Sequence, residues 1–167
     1  MAYLQVGTGL AYGSIVDSNP LTRAISSGSF AGLVTTAAVA LAGQREAGNA
    51  VAPINATSHV LWGNDAGTAD DFDLKHTVPG LLINTGAGVF WALVHELLLM
   101  RMRPRDGVAA AASGAAVGAL AYVVDYHFVP PRLTPGWELR LSRRGVALGF
   151  VALGASLALA GFLRARR

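Results

Sequence analysis

Long intervals without charge divide this chain into segments of membrane-spanning length. Three intervals contain no Lys, Arg, Asp or Glu: residues 24–44, 107–124 and 145–163. A fourth interval, residues 78–100, contains Glu96 as its single charged residue, with His95 beside it. Since about 20 apolar residues cross the hydrocarbon core of a bilayer as a helix, each interval predicts one transmembrane helix.

Composition supports the same interpretation. Hydrophobic residues make up 53% of the chain and charged residues only 14%, whereas ordinary soluble domains carry about 25% charged residues. The net charge is +3, and the arginines lie near predicted helix ends, which favours contact with lipid head groups over contact with nucleic acid. The chain has no cysteine, so disulfides, thiolate metal sites and cysteine nucleophiles are excluded.

The predicted fold class is all-α: an integral membrane bundle of four transmembrane helices in a single domain, residues 1–167. The helices are expected at about 23–43, 77–100, 107–126 and 145–163. A long polar connection, residues 44–76, separates the first two helices, and its first half predicts a short interfacial or re-entrant helix near residues 55–62. The second and third helices are joined only by the sequence RMRPRD, which predicts an antiparallel hairpin.

The distribution of arginine indicates an orientation. Four crossings place both termini and the RMRPRD turn on one side of the membrane. Because Lys and Arg in short loops favour the cytoplasmic side, both termini are expected in the cytoplasm, with the chain in a bacterial inner membrane. Membrane lipid is the expected partner, and the small size of the chain predicts a homo-oligomer or a place in a larger membrane protein complex.

Small residues at helical spacing mark the faces where helices touch, because close backbone contact drives helix association in lipid. They occur on three predicted helices: Gly28, Gly32 and Thr36; Gly107, Gly114, Gly118 and Ala121; Gly145 and Gly149. The second predicted helix carries one mixed stripe: Thr77, Gly80, Asn84, Gly88, Trp91 and His95. Polar side chains are costly against lipid, so this stripe is expected to face the bundle interior. There, Asn84 either lines a binding site or only bonds a neighbouring helix.

Three of the four histidines lie at one membrane level in the predicted topology. His76 begins the second helix, His127 ends the third, and the long connection brings His59 to the same face. Together with Asp125 they form a candidate site for a divalent metal, since neutral imidazole and carboxylate ligate Zn, Mn or Fe. The alternative is that Asp125 pairs with an arginine such as Arg132 and that the histidines form an interfacial belt.

The expected function is binding or transport of an ion or small polar ligand at one membrane face. The candidate ligand-binding residues are Asn55, His59, Asn84, Trp91, His95 and Glu96, and the candidate metal ligands are His59, His76, Asp125 and His127. Glu96 either takes part in a proton relay or extends towards Arg101 or Arg103 at the head groups. An enzyme is not the preferred interpretation.

A second hypothesis is a non-catalytic accessory subunit of a larger membrane complex. The two polar connections would dock the partner at the membrane surface. Trp62, Trp137 and Arg132 would then be the anchor residues, since Trp and Arg dominate the energetics of interfaces.

A third hypothesis comes from a short motif in the third predicted helix. The stretch AAASGAAVGALA, residues 110–121, resembles the Gly-Ala-Ser-Gly segment that carries the nucleophile of rhomboid intramembrane proteases. The resemblance implies an intramembrane serine hydrolase with Ser113 as its nucleophile. Rhomboids place the partner histidine on a later helix, whereas the histidine at matching depth here is His95, on the preceding helix.

Overall fold

The computed structural model describes residues 19–103 and 106–166, and these parts of the chain contain helices and connections but no strand. Four helices are long and apolar enough to cross a membrane: α1 (Pro20–Ala47), α4 (Thr77–Met102), α5 (Gly107–His127) and α6 (Arg143–Ala165). Two short helices, α2 (Ala52–Thr57) and α3 (His59–Trp62), lie between α1 and α4. The predicted all-helical fold with four long apolar helices is confirmed. Residues 1–18, Pro104 and Arg105 of the predicted turn, and Arg167 lie outside the described residues.

Local capping signals set the ends of these helices. The side chain of Asn19 accepts a backbone N–H of the first turn of α1. Asp106 and Ser142 do the same for α5 and α6, as residues of these types do at helix starts. α1 ends at Gly48, which has a φ of 70° that glycine adopts without strain. These residues mark the starts of α1, α5 and α6 and the end of α1, and the long helices extend a few residues beyond the intervals without charge.

The four long helices pack as two close pairs, α1 with α4 and α5 with α6. In the first pair, a Cβ added to Gly88 would lie 2.6 Å from the carbonyl oxygen of Gly28. In the second pair, a Cβ added to Gly118 would lie 2.5 Å from the Cα of Gly154. α1 also packs along α6, whereas α4 and α5, although consecutive in sequence, touch much less. The predicted helix contacts at Gly28 and Gly118 are confirmed, and a cleft opens between α4 and α5.

The two long connections fold together over one end of the bundle, and we call residues 48–76 and 128–142 the cap. The indole N–H of Trp137 donates to the hydroxyl of Thr57, 3.1 Å away, across these two segments. Gly136 has a φ of 79°, and a Cβ there would lie 2.5 Å from a carbonyl oxygen of α2. Only glycine meets both conditions. The cap is therefore an ordered part of the fold and supplies one wall of the cleft.

Candidate functional site

The main candidate site is the α4–α5 cleft, a cavity of about 440 Å³ between these helices and beneath the cap. Its walls are mostly apolar and aromatic, with a few polar side chains. The polar and aromatic side chains in this lining include Thr35, Asn84, Phe90, Trp91, Asp125, Trp137 and Phe150. On the α4 side the lining includes Gly86, Ala87 and Phe90, which are exposed on the outer surface. The cleft therefore opens sideways, on the outer surface of the bundle beside α4.

Thr35 presents a hydroxyl without a partner to this cleft. The residue lies in the middle of α1 and is 3% exposed. Its Oγ1 is buried and forms no hydrogen bond with any part of the chain that the structure describes. An unsatisfied buried hydroxyl costs stability, and its position in the lining of a cavity points to an occupant as its missing partner.

Asn84 presents a second acceptor. Its side-chain nitrogen donates to the carbonyl oxygen of Gly32 at 3.0 Å and to Oγ1 of Thr36 at 2.5 Å. The hydroxyl of Thr36 itself donates to the Gly32 carbonyl. The Gly32 carbonyl oxygen and Thr36 Oγ1 therefore both act as acceptors towards Asn84, and the atom that faces them must be the side-chain nitrogen. This fixes the amide orientation and leaves Oδ1 of Asn84 without a hydrogen bond within the described residues. Asn84 thus bonds a neighbouring helix and lines the cleft at the same time.

Asp125 presents the charged acceptor. Its half-buried carboxylate lines the cleft and has neither a hydrogen bond nor an ion pair with any described residue. The expected pairing with Arg132 is wrong, because that guanidinium donates to the carbonyls of Val60 and Leu61 in the cap. A second carboxylate, Glu138, acts on Asp125 electrostatically. Asp125 is therefore close to another acid and is not paired with a base among the described residues.

Two of the other predicted ligand-binding residues serve the cap. Asn55 is fully buried: it donates to the carbonyls of Ala69 and Asp71 and accepts from the hydroxyl of Thr77. His59 lies with Nε2 2.8 Å from the carbonyl oxygen of Thr134. These groups are engaged in joining the connections to each other and to the start of α4. Of the predicted ligand-binding set, the cleft brings together Asn84 and Trp91.

The four predicted metal ligands do not assemble. In the described residues, no group of three or more His, Asp or Glu side chains is arranged to hold a metal ion. Nδ1 of His76 lies 2.8 Å from Asp73, and His127 is exposed, with its ring packed near Tyr122. The topology brings these residues to one end of the bundle as expected, but hydrogen bonds and packing turn them in different directions.

The contact between His76 and Asp73 supports the start of α4. Asp73 accepts from the backbone N–H of His76 at 2.6 Å as well as from its ring. The side-chain hydrogen bond from His76 holds the pKa of Asp73 below its ordinary value. A lowered carboxyl pKa stabilises the fold above the ordinary value of about 3.9. That contribution is lost as the pH falls through the lowered value.

A second polar cluster lies at the end of the bundle opposite the cap, and we call His95, Glu96, Ser113 and Arg164 the His95 cluster. His95 is 0% and Glu96 is 1% exposed. Arg164 on α6 forms an ion pair and a hydrogen bond with Oε2 of Glu96. The expectation that Glu96 extends towards Arg101 or Arg103 is therefore wrong. Its other oxygen, Oε1, and Nδ1 of His95 are buried and have no hydrogen-bond partner in residues 19–103 and 106–166.

The structure does bring Ser113 and His95 into contact, with Oγ 2.9 Å from Nε2. However, Ser113 Oγ also lies 2.7 Å from the carbonyl oxygen of Ala110, which can only accept. When the single hydroxyl proton is given to that carbonyl, the matching tautomer of His95 carries its hydrogen on Nε2 and donates to Ser113. A histidine that donates to serine cannot act as its general base. This geometry favours a structural role over the hydrolase.

The anchors expected for an accessory subunit are partly engaged within the chain. Trp137 is buried and bonded to α2, and Arg132 donates to cap carbonyls. Trp62 is half exposed, and its indole N–H donates to the carbonyl of Lys75. These residues hold the cap together, so they do not single out a docking surface.

Two residues important to these sites were missed by sequence reasoning. Thr35 could have been noticed as a hydroxyl beside Thr36 in the middle of an apolar helix. Arg164 could have been noticed as a cation at the same end of the predicted bundle as Glu96, a carboxylate that needs a partner within the bundle. In both cases the missing information was which helices are neighbours.

Comparison with known proteins does not assign this chain to a family. No protein-family description matches the sequence, and no significant match occurs among the curated proteins or the solved structures. The function is therefore inferred from the cleft itself.

Proposed function

We propose that this chain is an integral membrane protein that binds a small organic cation with an apolar body in the α4–α5 cleft. One observation carries the proposal: three acceptors without partners, Thr35 Oγ1, Asn84 Oδ1 and the Asp125 carboxylate, line one cavity. A carboxylate without a counter-ion inside a membrane protein is costly and marks a functional site. An occupant that is positively charged and donates hydrogen bonds relieves all three groups.

The chemistry of the walls defines the ligand class. A primary ammonium carries the positive charge that the Asp125 carboxylate lacks, and its three N–H groups are donors for oxygen acceptors in the lining such as Asn84 Oδ1. The aromatic side chains of Phe90, Trp91 and Trp137 offer apolar contact and cation–π attraction. A volume of about 440 Å³ is within the range of small-molecule sites. The preferred ligand is therefore an arylalkyl ammonium ion, which reaches the cleft sideways from the lipid.

Binding of simple phenylalkyl ammonium ions tests this proposal. We expect saturable binding to the purified protein in detergent, measured by calorimetry, with phenylalkyl alcohols of the same length binding much more weakly. Replacing Asp125 with asparagine is expected to weaken amine binding about tenfold to a hundredfold, since a hydrogen bond to a charged group is worth roughly 1.5–3 kcal/mol. Alcohol binding should change little.

The matched control is Asp65→Asn, which makes the same change in charge at an exposed position of the cap. It is expected to leave amine affinity unchanged at moderate salt, because exposed charges are screened. Equal affinity for amine and alcohol in the wild-type protein would contradict the proposal. So would an Asp125→Asn variant that binds the amine as tightly as the wild type.

The membrane placement that accompanies this proposal is a bacterial inner membrane with both termini in the cytoplasm. The exposed arginines at the end of α4, Arg101 and Arg103, and the basic end of α6 support this orientation. We expect reporters fused after Arg45 and after Met100 to read opposite compartments, with the Met100 fusion in the cytoplasm. Two reporters in the same compartment would contradict four crossings, and the reverse assignment would overturn the orientation alone.

A further inference from the structure

The His95 cluster combines buried charge with two acceptors that have no donor. The ion pair of Glu96 with Arg164 uses one carboxylate oxygen, and Oε1 is buried without a partner. Nδ1 of His95 is also buried without a partner. Most buried polar atoms are hydrogen-bonded, so two such atoms on adjacent residues require a specific explanation. The α4–α5 cleft does not provide one, because neither His95 nor Glu96 lines it.

We propose that His95 and Glu96 form a proton-binding site that is independent of the cation cleft. In the protonation step, a hydronium ion that enters from the solvent gives its proton to the lone pair of the buried His95 Nδ1. An N–H bond forms there and water is released. The negative carboxylate of Glu96, which is paired with Arg164, stabilises the resulting imidazolium.

The hydrogen bonds around Ser113 define which nitrogen takes the proton. With the hydroxyl of Ser113 donating to the Ala110 carbonyl, the tautomer of His95 that completes this chain of hydrogen bonds has its hydrogen on Nε2 and donates to Ser113. A neutral imidazole with a hydrogen on Nε2 has its free lone pair on Nδ1. The site is therefore set to accept one proton at a defined atom.

The charges around His95 come from three helices. Burial and Arg164 on α6 act against a positive charge on His95, whereas Glu96 on α4 favours it. Arg23 on α1 lines the same small cavity as Glu96 and Arg164. α5 contributes the uncharged Ser113 to the contact. Glu96 is therefore the single negative group among these neighbours, and it is the group that makes a positive His95 tolerable.

A route for the proton is present on the side away from the cap. A cavity of about 210 Å³ reaches Glu96 and is also lined by Met100, which is exposed at the end of α4, and by Arg164. The side chain of Arg164 is 26% exposed, so it connects the buried carboxylate with the surface. This cavity leads from the end of the bundle opposite the cap as far as Glu96. His95 does not line it, so the last step of the proton to Nδ1 needs a local opening between these side chains.

Nitrogen NMR of histidine-labelled protein in detergent micelles tests this inference. The His95→Gln variant identifies the His95 signals by their loss. In the wild type we expect Nε2 of His95 to be protonated throughout, and Nδ1 to gain a proton reversibly as the pH is lowered from about 9 to about 4. In Glu96→Gln the midpoint of that change is expected to fall by roughly one pH unit, since an opposite charge nearby favours the protonated form.

The matched control is Glu138→Gln, which neutralises a carboxylate in the cap and should leave the His95 midpoint unchanged. A His95 that carries its hydrogen on Nδ1 at high pH would overturn the inference. A His95 that stays neutral at pH 4 while circular dichroism shows a folded protein would overturn it as well. If Glu96→Gln does not fold, the wild-type titration alone decides. None of these signals depends on amine binding, so failure of this site is distinguishable from failure of the cleft.

Discussion

Replacing Arg164 with methionine is expected to lower the free energy of unfolding by about 3–5 kcal/mol, because it leaves a buried charge without its partner. Glu96 is 1% exposed, and Arg164 is its single ion-pair partner within the described residues. The measurement is the mole fraction of sodium dodecyl sulfate at half-unfolding, followed by tryptophan fluorescence. A loss below about 1 kcal/mol, the value typical of an exposed pair, would contradict this description of the ion pair.

The double variant Glu96→Gln with Arg164→Met separates a lost charge pair from lost packing. Removing both charges is expected to restore most of the stability, since replacing a whole buried pair by uncharged groups is often nearly neutral. Arg144→Met is the control, because Arg144 is an exposed arginine at the other end of α6. It should cost little. A double variant as unstable as Arg164→Met would show that the arginine acts through its packing and not through Glu96.

Replacing Gly88 with alanine is expected to cost about 2–3 kcal/mol, because the added methyl group would meet backbone atoms. A Cβ there would lie 2.6 Å from the carbonyl oxygen of Gly28 and 2.9 Å from the backbone nitrogen of Gly32. Backbone atoms cannot move aside as a flexible side chain can, so α1 and α4 must separate along their contact. The same detergent unfolding assay measures this loss.

The matched control lies two residues away on the same helix. A Cβ on Gly86 would meet nothing within 4 Å, so Gly86→Ala adds a methyl group in open space. It should be neutral or stabilise α4 by about 0.5–1 kcal/mol, the helix preference of alanine over glycine. If Gly88→Ala and Gly86→Ala gave the same change, the close approach of α1 and α4 at Gly88 would be refuted.

The four long helices could be predicted from the sequence because charge spacing and length are local properties. The inward direction of Asn84 was predictable for a similar reason, since its stripe of small and polar residues repeats at helical spacing. The partners of Asn84 were not predictable. The RMRPRD turn suggested that α4 packs mainly on α5, but Gly88 allows α4 to approach α1 more closely, and the amide of Asn84 therefore bonds Gly32.

The candidate sites were predictable only in part, because a side chain can bind a ligand only with atoms that are not already hydrogen-bonded within the protein. His59 and Asn55 carry suitable chemistry for a ligand, yet the cap uses their hydrogen bonds. Asp125 was placed at the correct end of the bundle, but its predicted partner, Arg132, is engaged by backbone carbonyls. These hydrogen bonds form because residues 48–76 fold against residues 128–142. The two segments have no simple periodic pattern, so their contacts could not be predicted from the sequence.

The pairing of α1 with α4 and of α5 with α6 also determines which helices can move relative to each other. The glycine contacts hold each pair rigid, and the contact between α1 and α6 joins the two pairs along one line. A wider gap between α4 and α5 would leave the glycine contacts within each pair unchanged. The contact between α1 and α6 would then be the hinge between the two pairs. We therefore expect the cleft to accommodate ligands of different size by a small rotation of one helix pair relative to the other. The geometry within each pair should stay the same.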